Sequence, residues 1–218
     1  MNKIINKTLK QELKYKGTTI LTYKIQYPEI TESPYTHGKE KFNEYNKNKA
    51  HELERYCKEE LFKEAIETYE YNIANGYPIM IYDIVTQYQI TYNQNYIISL
   101  YNDQYIFTGG AHGNTIRTSQ NWDLKIGKMI PLEQFYPNNP YFLLEILKQI
   151  NEQIKKQIEE GTNQYFENYC QLVLETFNPQ SYYLYPDHIE IFFQQYDIAP
   201  YSSGIPTFSI KIKYIGLK

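Results

Sequence analysis

The stretch Thr108-Gly109-Gly110-Ala111-His112-Gly113-Asn114-Thr115 decides how the rest of the chain is interpreted, because predicted strands lie on both sides of it. Its glycines allow positive φ angles or a close approach of the backbone. Two glycines before a histidine can present the imidazole and nearby backbone N–H groups to a ligand. The same residues also suit a tight connection between strands, in which a hydrogen bond from His112 fixes the turn. Both interpretations remain open at this point.

Known ligand-binding motifs do not fit this stretch. It matches neither G-x-G-x-x-G nor the Walker A pattern, and no predicted helix follows it to favour a phosphate group. The four histidines lie far apart in sequence, without H-x-x-x-H or H-E-x-x-H spacing, so the prediction is no metal and no cofactor. No G-x-S-x-G motif is present. A catalytic pair of His112 with Asp123 or Asp187 is the enzymatic alternative.

Towards the N-terminus, the sequence predicts a strand pair and a long helix. Apolar and polar residues alternate from Thr19 to Tyr27, which is typical of a strand with one buried face. The segment from Ile4 to Tyr15 is its predicted partner, and Pro28 is expected to end the strand. Apolar residues at three- and four-residue spacing then predict an amphipathic helix over roughly Lys39 to Ala74. Gly76 is expected to end it.

Around and after the glycine stretch, strands and two further helices are predicted. The strands are 82–92, 96–107, 116–124, 189–193 and 208–214. The first helix has the apolar stripe Leu143, Leu147, Ile150, Ile154 and Ile158, and the second has Phe166, Cys170, Val173 and Phe177. The sequence therefore predicts an α+β fold with mostly antiparallel sheets. A long helix lies in the N-terminal part, and two helices plus terminal strands lie in the C-terminal part.

The amino-acid composition and net charge exclude some classes of function and leave others open. The 218 residues suit one large domain or two small ones that share a core, and a net charge of -3 gives no basic footprint for nucleic acid. The 25 tyrosines either pack in sheets or form an exposed face that binds sugar or protein. Cys57 and Cys170 are interpreted as two buried thiols, with one disulfide as the alternative.

Targeting signals are not recognisable in the sequence. No run of about 18 apolar residues exists, so no transmembrane span is predicted. The first seven residues lack the apolar region of a signal peptide. The chain as written is expected to be cytoplasmic, unless a leader has been removed from it.

Two segments of the chain carry recognisable motifs. The first segment is Tyr105–Tyr136, which contains the glycine stretch and, near its end, an L-x-x-F motif that closes at Phe135. The second is the closing Y-x-I-A-P-Y-x-x-G segment, Tyr196–Gly204. Both resemble an extracytoplasmic domain family shared by RsiV-type anti-sigma factors and the N-terminal part of the PdaC peptidoglycan deacetylase. The resemblance covers nearly the whole chain.

The resemblance implies a two-part α+β module, with a PdaC-like subdomain at residues 1–110 and an RsiV-like subdomain at residues 111–218. In RsiV-like proteins the module binds lysozyme and thereby triggers release of a sigma factor. In PdaC-like proteins it sits beside the deacetylase domain and is not itself the catalyst. Both contexts imply the bacterial cell envelope. Since no sigma-binding segment or deacetylase domain is recognisable, neither of those two activities is expected.

The functional prediction is a non-enzymatic binding or sensing module of the cell envelope. Its expected ligand is a lysozyme-like protein or a cell-wall glycan, with no nucleic acid as partner. The alternatives are a small hydrolase-like enzyme that uses His112, or a cytoplasmic interaction protein. The predicted ligand-binding residues are Gly109, Gly110, His112, Asn114 and Tyr201.

Overall fold

The computed structural model describes residues 1–212. Its helices are α1 (Thr36–Tyr56), α2 (Phe62–Asn75), α3 (Phe142–Glu159) and α4 (Tyr169–Thr176). Its strands are β1 (Lys3–Tyr15), β2 (Thr18–Glu32), β3 (Tyr82–Gln94), β4 (Ile97–Phe107), β5 (Asn114–Asp123), β6 (Lys128–Met129), β7 (Tyr182–Leu184), β8 (His188–Phe192) and β9 (Thr207–Lys211). The predicted extension of the last strand to Tyr214 lies outside the described residues.

The strands form a six-stranded sheet in the order β1-β2-β3-β4-β5-β6 and a three-stranded sheet in the order β7-β8-β9. β1 and β2 are antiparallel, as are the neighbours in the small sheet. β2 and β3 are parallel. A parallel pair needs a long crossover, and α1 and α2 supply it. The predicted α+β class with mostly antiparallel sheets is confirmed.

The chain forms two compact units. Unit 1 comprises residues 1–89, 102–116 and 124–127, and unit 2 comprises residues 90–101, 117–123 and, within the described part of the chain, 128–212. Strands β3, β4 and β5 therefore contribute residues to both units. The predicted PdaC-like and RsiV-like subdomains were defined by resemblance to other proteins, whereas these two units are defined by compact packing. The predicted subdomain boundary after residue 110 therefore stays a prediction.

In unit 1, β2 continues to Glu32, so the predicted end at Pro28 is wrong. The backbone N–H groups of Gln26 and Ile30 donate to side chains of Thr86 and Asn43 rather than to β1. Because N–H directions alternate along a strand, the Pro28 nitrogen also points away from β1. A proline can occupy that position without losing a ladder hydrogen bond.

The predicted long helix is confirmed, with one irregularity. A π-helical segment, Cys57–Leu61, joins α1 to α2, and Gly76 ends α2 in the left-handed conformation with a φ of 70°. Asn72 turns inward near the helix end, and its side chain donates to the Pro78 carbonyl. No helix within residues 1–212 has the length and apolar character needed to span a bilayer.

The core of unit 2 lies between α3, α4 and the small sheet. Ile146, Ile150 and Ile154 are buried on α3. The predicted apolar stripe of α3 was wrong at its two ends, because its first and last members, Leu143 and Ile158, are exposed. The buried stripe follows a strict four-residue spacing over the middle of the helix, where the sheet residues contact it. The ends of α3 extend beyond this contact.

A buried polar network joins β4, β5 and β7 in unit 2. The Ser99 hydroxyl donates to the Asn121 side-chain oxygen at 2.7 Å, and the Asn121 amide donates to the Tyr182 carbonyl at 2.8 Å. Ser99 also accepts a hydrogen bond from the Leu184 backbone N–H. Both polar side chains are at most 4% exposed. Each therefore satisfies a polar group that would otherwise be buried without a partner.

The two cysteines are free thiols in different environments. Cys57 is buried as predicted, but Cys170 is exposed, so the prediction of a second buried thiol is wrong. Cys170 lies on α4, where Val173 occupies the buried position. Burial raises the pKa of the Cys57 thiol to about 12.

Thiol labelling should separate the two cysteines. Near pH 8, roughly the ordinary pKa of a cysteine, an alkylating reagent should modify Cys170 in the folded chain and leave Cys57 protonated and protected. Denaturant should make Cys57 reactive as well. Mass spectrometry of peptides from folded and unfolded samples checks this result. Rapid labelling of Cys57 in the folded chain would contradict its burial.

Candidate functional site

The tyrosines fall into buried and exposed groups, and the exposed ones point to candidate contact surfaces. Tyr23, Tyr82 and Tyr182 are core residues, whereas Tyr196 is 52% exposed. Tyr196 lies beside Tyr201, with ring centroids 5.8 Å apart and ring planes inclined by 33°. These rings belong to one segment of unit 2, Gln194–Gly204, which is named here the tyrosine loop.

The first residue of the tyrosine loop is held by a strand. The Gln194 side-chain oxygen accepts a hydrogen bond from the backbone N–H of Arg117 at 2.9 Å. Its amide nitrogen donates to the Arg117 carbonyl at 2.7 Å. The side chain thus pairs with β5 as a neighbouring strand would. The guanidinium group of Arg117 lies over the Tyr101 ring, 3.9 Å from its centroid. This cation–π contact holds Arg117, the strand residue with which Gln194 pairs.

A four-residue turn then projects Tyr196 from the surface. The Asp197 carboxylate accepts from the backbone N–H of Gln194 at 2.7 Å, and the Asp197 N–H donates to the Gln194 carbonyl. Tyr196 occupies the third position of this turn with a φ of 68°. That conformation costs a residue other than glycine about 1 kcal/mol. Strained backbone of this kind is often found at functional sites.

The remainder of the loop is anchored in the core of unit 2. Ile198 and Ala199 are fully buried. The Ile198 carbonyl accepts from the backbone N–H of Phe166, and the Ser203 hydroxyl donates to the Gln164 carbonyl. The loop therefore presents Tyr196 and Tyr201 from a rigid base.

The Asp197 turn gives a pH-dependent prediction. Partial burial raises the pKa of the Asp197 carboxyl, and the Gln194 N–H opposes that rise. The pKa of Asp197 is higher in the folded state than in the unfolded state, so its protonation stabilises the fold. This contribution to the free energy of unfolding is complete below the unfolded pKa of about 3.9 and is lost as pH rises through the folded pKa. Asp197→Asn keeps an acceptor for Gln194 but does not titrate. The free energy of unfolding of the wild type should therefore fall relative to that of the variant over this range, measured by urea denaturation. A difference that stays constant or grows with pH would contradict the account.

The glycine stretch forms the β4–β5 connection in unit 1. Gly109 and Gly110 have φ angles of 112° and 87°, which disfavour other residues. Gly113 is needed for a different reason. A Cβ atom there would lie 2.5 Å from the Tyr105 ring and 2.6 Å from the Ile106 carbonyl oxygen. The three glycines thus permit a tight connection packed against β4.

His112 is exposed in this connection, and its Nδ1 lies 2.9 Å from the Gly113 carbonyl oxygen. A carbonyl only accepts, so Nδ1 carries the proton in this contact. The geometry agrees with the interpretation of a hydrogen bond that fixes the turn, while the imidazole still faces solvent. Asn114 is also exposed, at the start of β5.

Four of the five predicted ligand-binding residues lie in the β4–β5 connection of unit 1 or at the start of β5: Gly109, Gly110, His112 and Asn114. Tyr201 belongs to unit 2. Asp187, one of the two predicted acid partners of His112, accepts a hydrogen bond from His188 at 2.7 Å. Within residues 1–212, no group of three histidine, cysteine, aspartate or glutamate side chains is arranged to hold a metal ion.

Two family models match the chain. Residues 15–115 match the family described as Deacetylase PdaC, and residues 135–213 match the family described as Protein of unknown function (DUF3298). The chain joins a PdaC-type segment to a DUF3298-type segment. The predicted family resemblance is confirmed at this level. No curated protein gives a significant match.

Solved structures show the same fold. A DUF3298 family member from Bacteroides fragilis superposes with a TM-score of 0.72 at 17% identity, over 96% of this chain and 90% of that chain. A DUF3298 family protein from Pseudomonas aeruginosa gives a TM-score of 0.62 at 15% identity, over 96% and 91%. Similarity at these identities concerns the fold alone.

The two candidate loops fall in different family segments. The glycine stretch closes the PdaC-type segment, and the tyrosine loop lies in the DUF3298-type segment. Sequence reasoning selected Tyr201 but left Tyr196 and the supporting residues Gln194 and Asp197 out of the site. The turn-forming composition around Asp197 was the available signal. No signal in the sequence indicated the pairing of Gln194 with Arg117, which is 77 residues away.

Proposed function

We propose that this chain is a non-enzymatic binding module of the cell envelope whose tyrosine loop contacts a lysozyme-like protein. The observation that carries the proposal is the exposed Tyr196 ring beside Tyr201 on a base fixed by Gln194 and Asp197. The envelope location and the ligand class follow the family resemblance. The loop geometry supplies the physical reason for a contact at this place.

Tyrosine suits such a contact because it offers a large, partly polar surface at a small cost in side-chain entropy. A loop that is rigid before binding also loses little entropy when the partner arrives. The Tyr196 backbone is already held in its strained conformation by the Asp197 turn. The rings are inclined and partly exposed rather than coplanar, which favours insertion into a concave protein surface over stacking on one flat sugar ring.

The glycine stretch is proposed as a second contact region in unit 1. His112 and Asn114 are exposed, and Gly109 and Gly110 leave the adjacent backbone accessible without a Cβ atom. Its contribution should be smaller than that of the tyrosine loop, because it presents no large exposed aromatic side chain. Aromatic anchors generally dominate the energetics of protein interfaces.

Calorimetric titration of the purified chain with a lysozyme tests the proposal. Tyr196→Ala and Tyr201→Ala should each weaken binding by about tenfold or more, since an anchor is worth about 2 kcal/mol. His112→Ala should weaken it by a smaller factor. Tyr141→Ala is the matched control, because Tyr141 is 66% exposed in unit 2 but lies outside the loop.

Two outcomes would contradict the proposal. Absence of binding by the wild type would exclude the lysozyme-like partner, and binding of cell-wall fragments instead would identify a glycan ligand. Equal weakening by Tyr141→Ala and Tyr201→Ala would show that the tyrosine loop is not the contact surface. Circular dichroism of each variant checks that a loss of affinity does not reflect unfolding.

A further inference from the structure

An uncharged and exposed corner of unit 1 lies where α2 ends and the chain turns towards β3. Residues 71–82 contain no aspartate, glutamate, lysine, arginine or histidine. Large apolar side chains of this segment are each between 41% and 61% exposed: Tyr71, Ile73, Tyr77, Ile79 and Ile81. Residues 71–81 are named here the apolar corner. Exposed apolar residues that lie together, rather than singly, usually mark an interaction surface.

The apolar corner has a fixed turn with open space around its tip. Gly76 turns the chain with a φ of 70°, and a Cβ atom built at this position meets no atom within 4 Å. The turn brings the Tyr77 ring back towards the Tyr71 ring, with centroids 6.1 Å apart. Met80 anchors the segment, because its Cε atom lies 3.9 Å from a Cβ position built at Gly109. The tip is therefore a protrusion rather than a groove.

Polar groups of the turn are already bonded within it. The hydrogen bonds, donor first, are Gly76 N to Ile73 O, Tyr77 N to Asn72 O, Asn72 Nδ2 to Pro78 O and Asn75 Nδ2 to Tyr71 O. Pro78 itself has no backbone N–H. Internal bonding of this kind lowers the cost of moving a turn out of water, because lipid offers polar groups no replacement partners.

The carboxylates on either side of the apolar corner also have partners. Glu70 pairs with the Lys16 ammonium group at 2.7 Å, and Asp83 accepts a hydrogen bond from the Thr22 hydroxyl at 2.6 Å. These charged groups lie outside the uncharged segment, so they can stay at the level of water while the tip leaves it.

We propose that the apolar corner inserts into the interfacial region of a lipid bilayer. Isoleucine suits the boundary of the acyl chains, and tyrosine suits the headgroup level, where its hydroxyl stays solvated. A bilayer needs no complementary shape, so it can accommodate a protruding tip. This inference is independent of the lysozyme-like partner, because the tyrosine loop belongs to unit 2.

A bilayer is favoured over a protein partner or a second copy of the chain. A stable protein interface takes about 20 to 30 residues on each side, and the apolar corner is much smaller. Protein interfaces also carry about one hydrogen bond per 100 to 200 Å². The amide donors of Asn72 and Asn75 and the backbone donors of Gly76 and Tyr77 are already used within the turn.

Sedimentation with phosphatidylcholine vesicles tests this proposal. The wild type should bind reversibly, with an association constant of about 10⁴ M⁻¹ or less, as for a single acyl chain. Tyr77→Ser/Ile79→Ser should bind about tenfold more weakly. Tyr141→Ser/Leu144→Ser is the matched control, because both side chains are at least as exposed but the charged Glu145 follows them. The control should stay within about twofold of the wild type.

A fluorescent variant locates the inserted residue. The emission of Tyr77→Trp should shift to shorter wavelength on addition of vesicles and should be quenched by brominated lipid. The natural Trp122 is buried and is present in both proteins, so the wild-type spectrum supplies the background. Circular dichroism of each variant checks that the fold is retained.

Four outcomes would overturn the proposal. They are no vesicle binding by the wild type, equal weakening in both double variants, loss of binding at physiological salt, and no spectral shift in Tyr77→Trp. Self-association of the wild type without lipid, abolished by Tyr77→Ser/Ile79→Ser, would also overturn it by assigning the corner to a second copy. Tyr201→Ala should leave vesicle binding unchanged, so this proposal and the lysozyme proposal fail separately.

Discussion

Gly38→Ala should destabilise the protein by about 2 kcal/mol or more, although alanine is the better helix former. Gly38 lies in the first turn of α1, and a Cβ atom there would be 2.5 Å from the Leu124 Cα atom and still closer to its carbonyl oxygen. These are backbone atoms, so the helix or the 124–127 segment would have to move. Such overpacking costs about 3 kcal/mol, against a gain of about 1 kcal/mol in helix propensity.

Gly76→Ala separates close packing from backbone conformation. Gly76 has a φ of 70° and open space around its Cα atom, so this variant should lose only about 1 kcal/mol. Urea denaturation of both variants gives the comparison. A loss in Gly38→Ala no larger than that in Gly76→Ala would contradict the tight approach of α1 to Leu124.

Asn121→Leu should destabilise the protein by about 4 kcal/mol. The leucine removes the acceptor of Ser99 and the donor to the Tyr182 carbonyl, both in a buried environment. Each polar group left without a partner costs about 1 to 3 kcal/mol. The free energy of unfolding from chemical denaturation measures this loss.

A double-mutant cycle with Ser99→Ala shows whether the network acts as a unit. Either single variant breaks the bond between Ser99 and Asn121, so the double variant should lose about 1 kcal/mol less than the sum of the two. Additive losses would mean that the two side chains stabilise unit 2 independently. That result would contradict a shared role in joining β4, β5 and β7.

Local patterns in the sequence were sufficient for much of the fold. The β1–β2 hairpin and the long helix depend on periodicity and on nearby turn residues, and both are present. Gly17 and Gly76 adopt the positive φ angles that such turns and helix ends require. These elements are determined by residues close to one another in the chain.

Features that depend on distant partners were not predictable in this way. β2 continues through Pro28 because Asn43 and Thr86 take the hydrogen bonds that a neighbouring strand would take. β7 has three residues, too few for a periodic signal, and is held through Ser99 and Asn121. The buried part of α3 is likewise set by the small sheet rather than by the apolar stripe.

The candidate site shows the same limit. The glycines at 109, 110 and 113 could be selected from the sequence, but the distinct reason for Gly113 is its contact with Tyr105. Tyr201 was selected through the family resemblance. Its exposed neighbour Tyr196 depends on a left-handed backbone that the Asp197 turn maintains, and no local pattern indicates that conformation for a tyrosine.

Hydrogen exchange of the chain with and without a lysozyme tests the central claim most directly, because it locates the contact surface without a substitution. The account predicts slower exchange of backbone amides in the tyrosine loop, Gln194–Gly204, with a smaller effect in the glycine stretch. Peptides from the exposed helix surface around Lys47 should be unchanged. Binding that protects other surfaces and leaves the tyrosine loop unaffected would contradict the account.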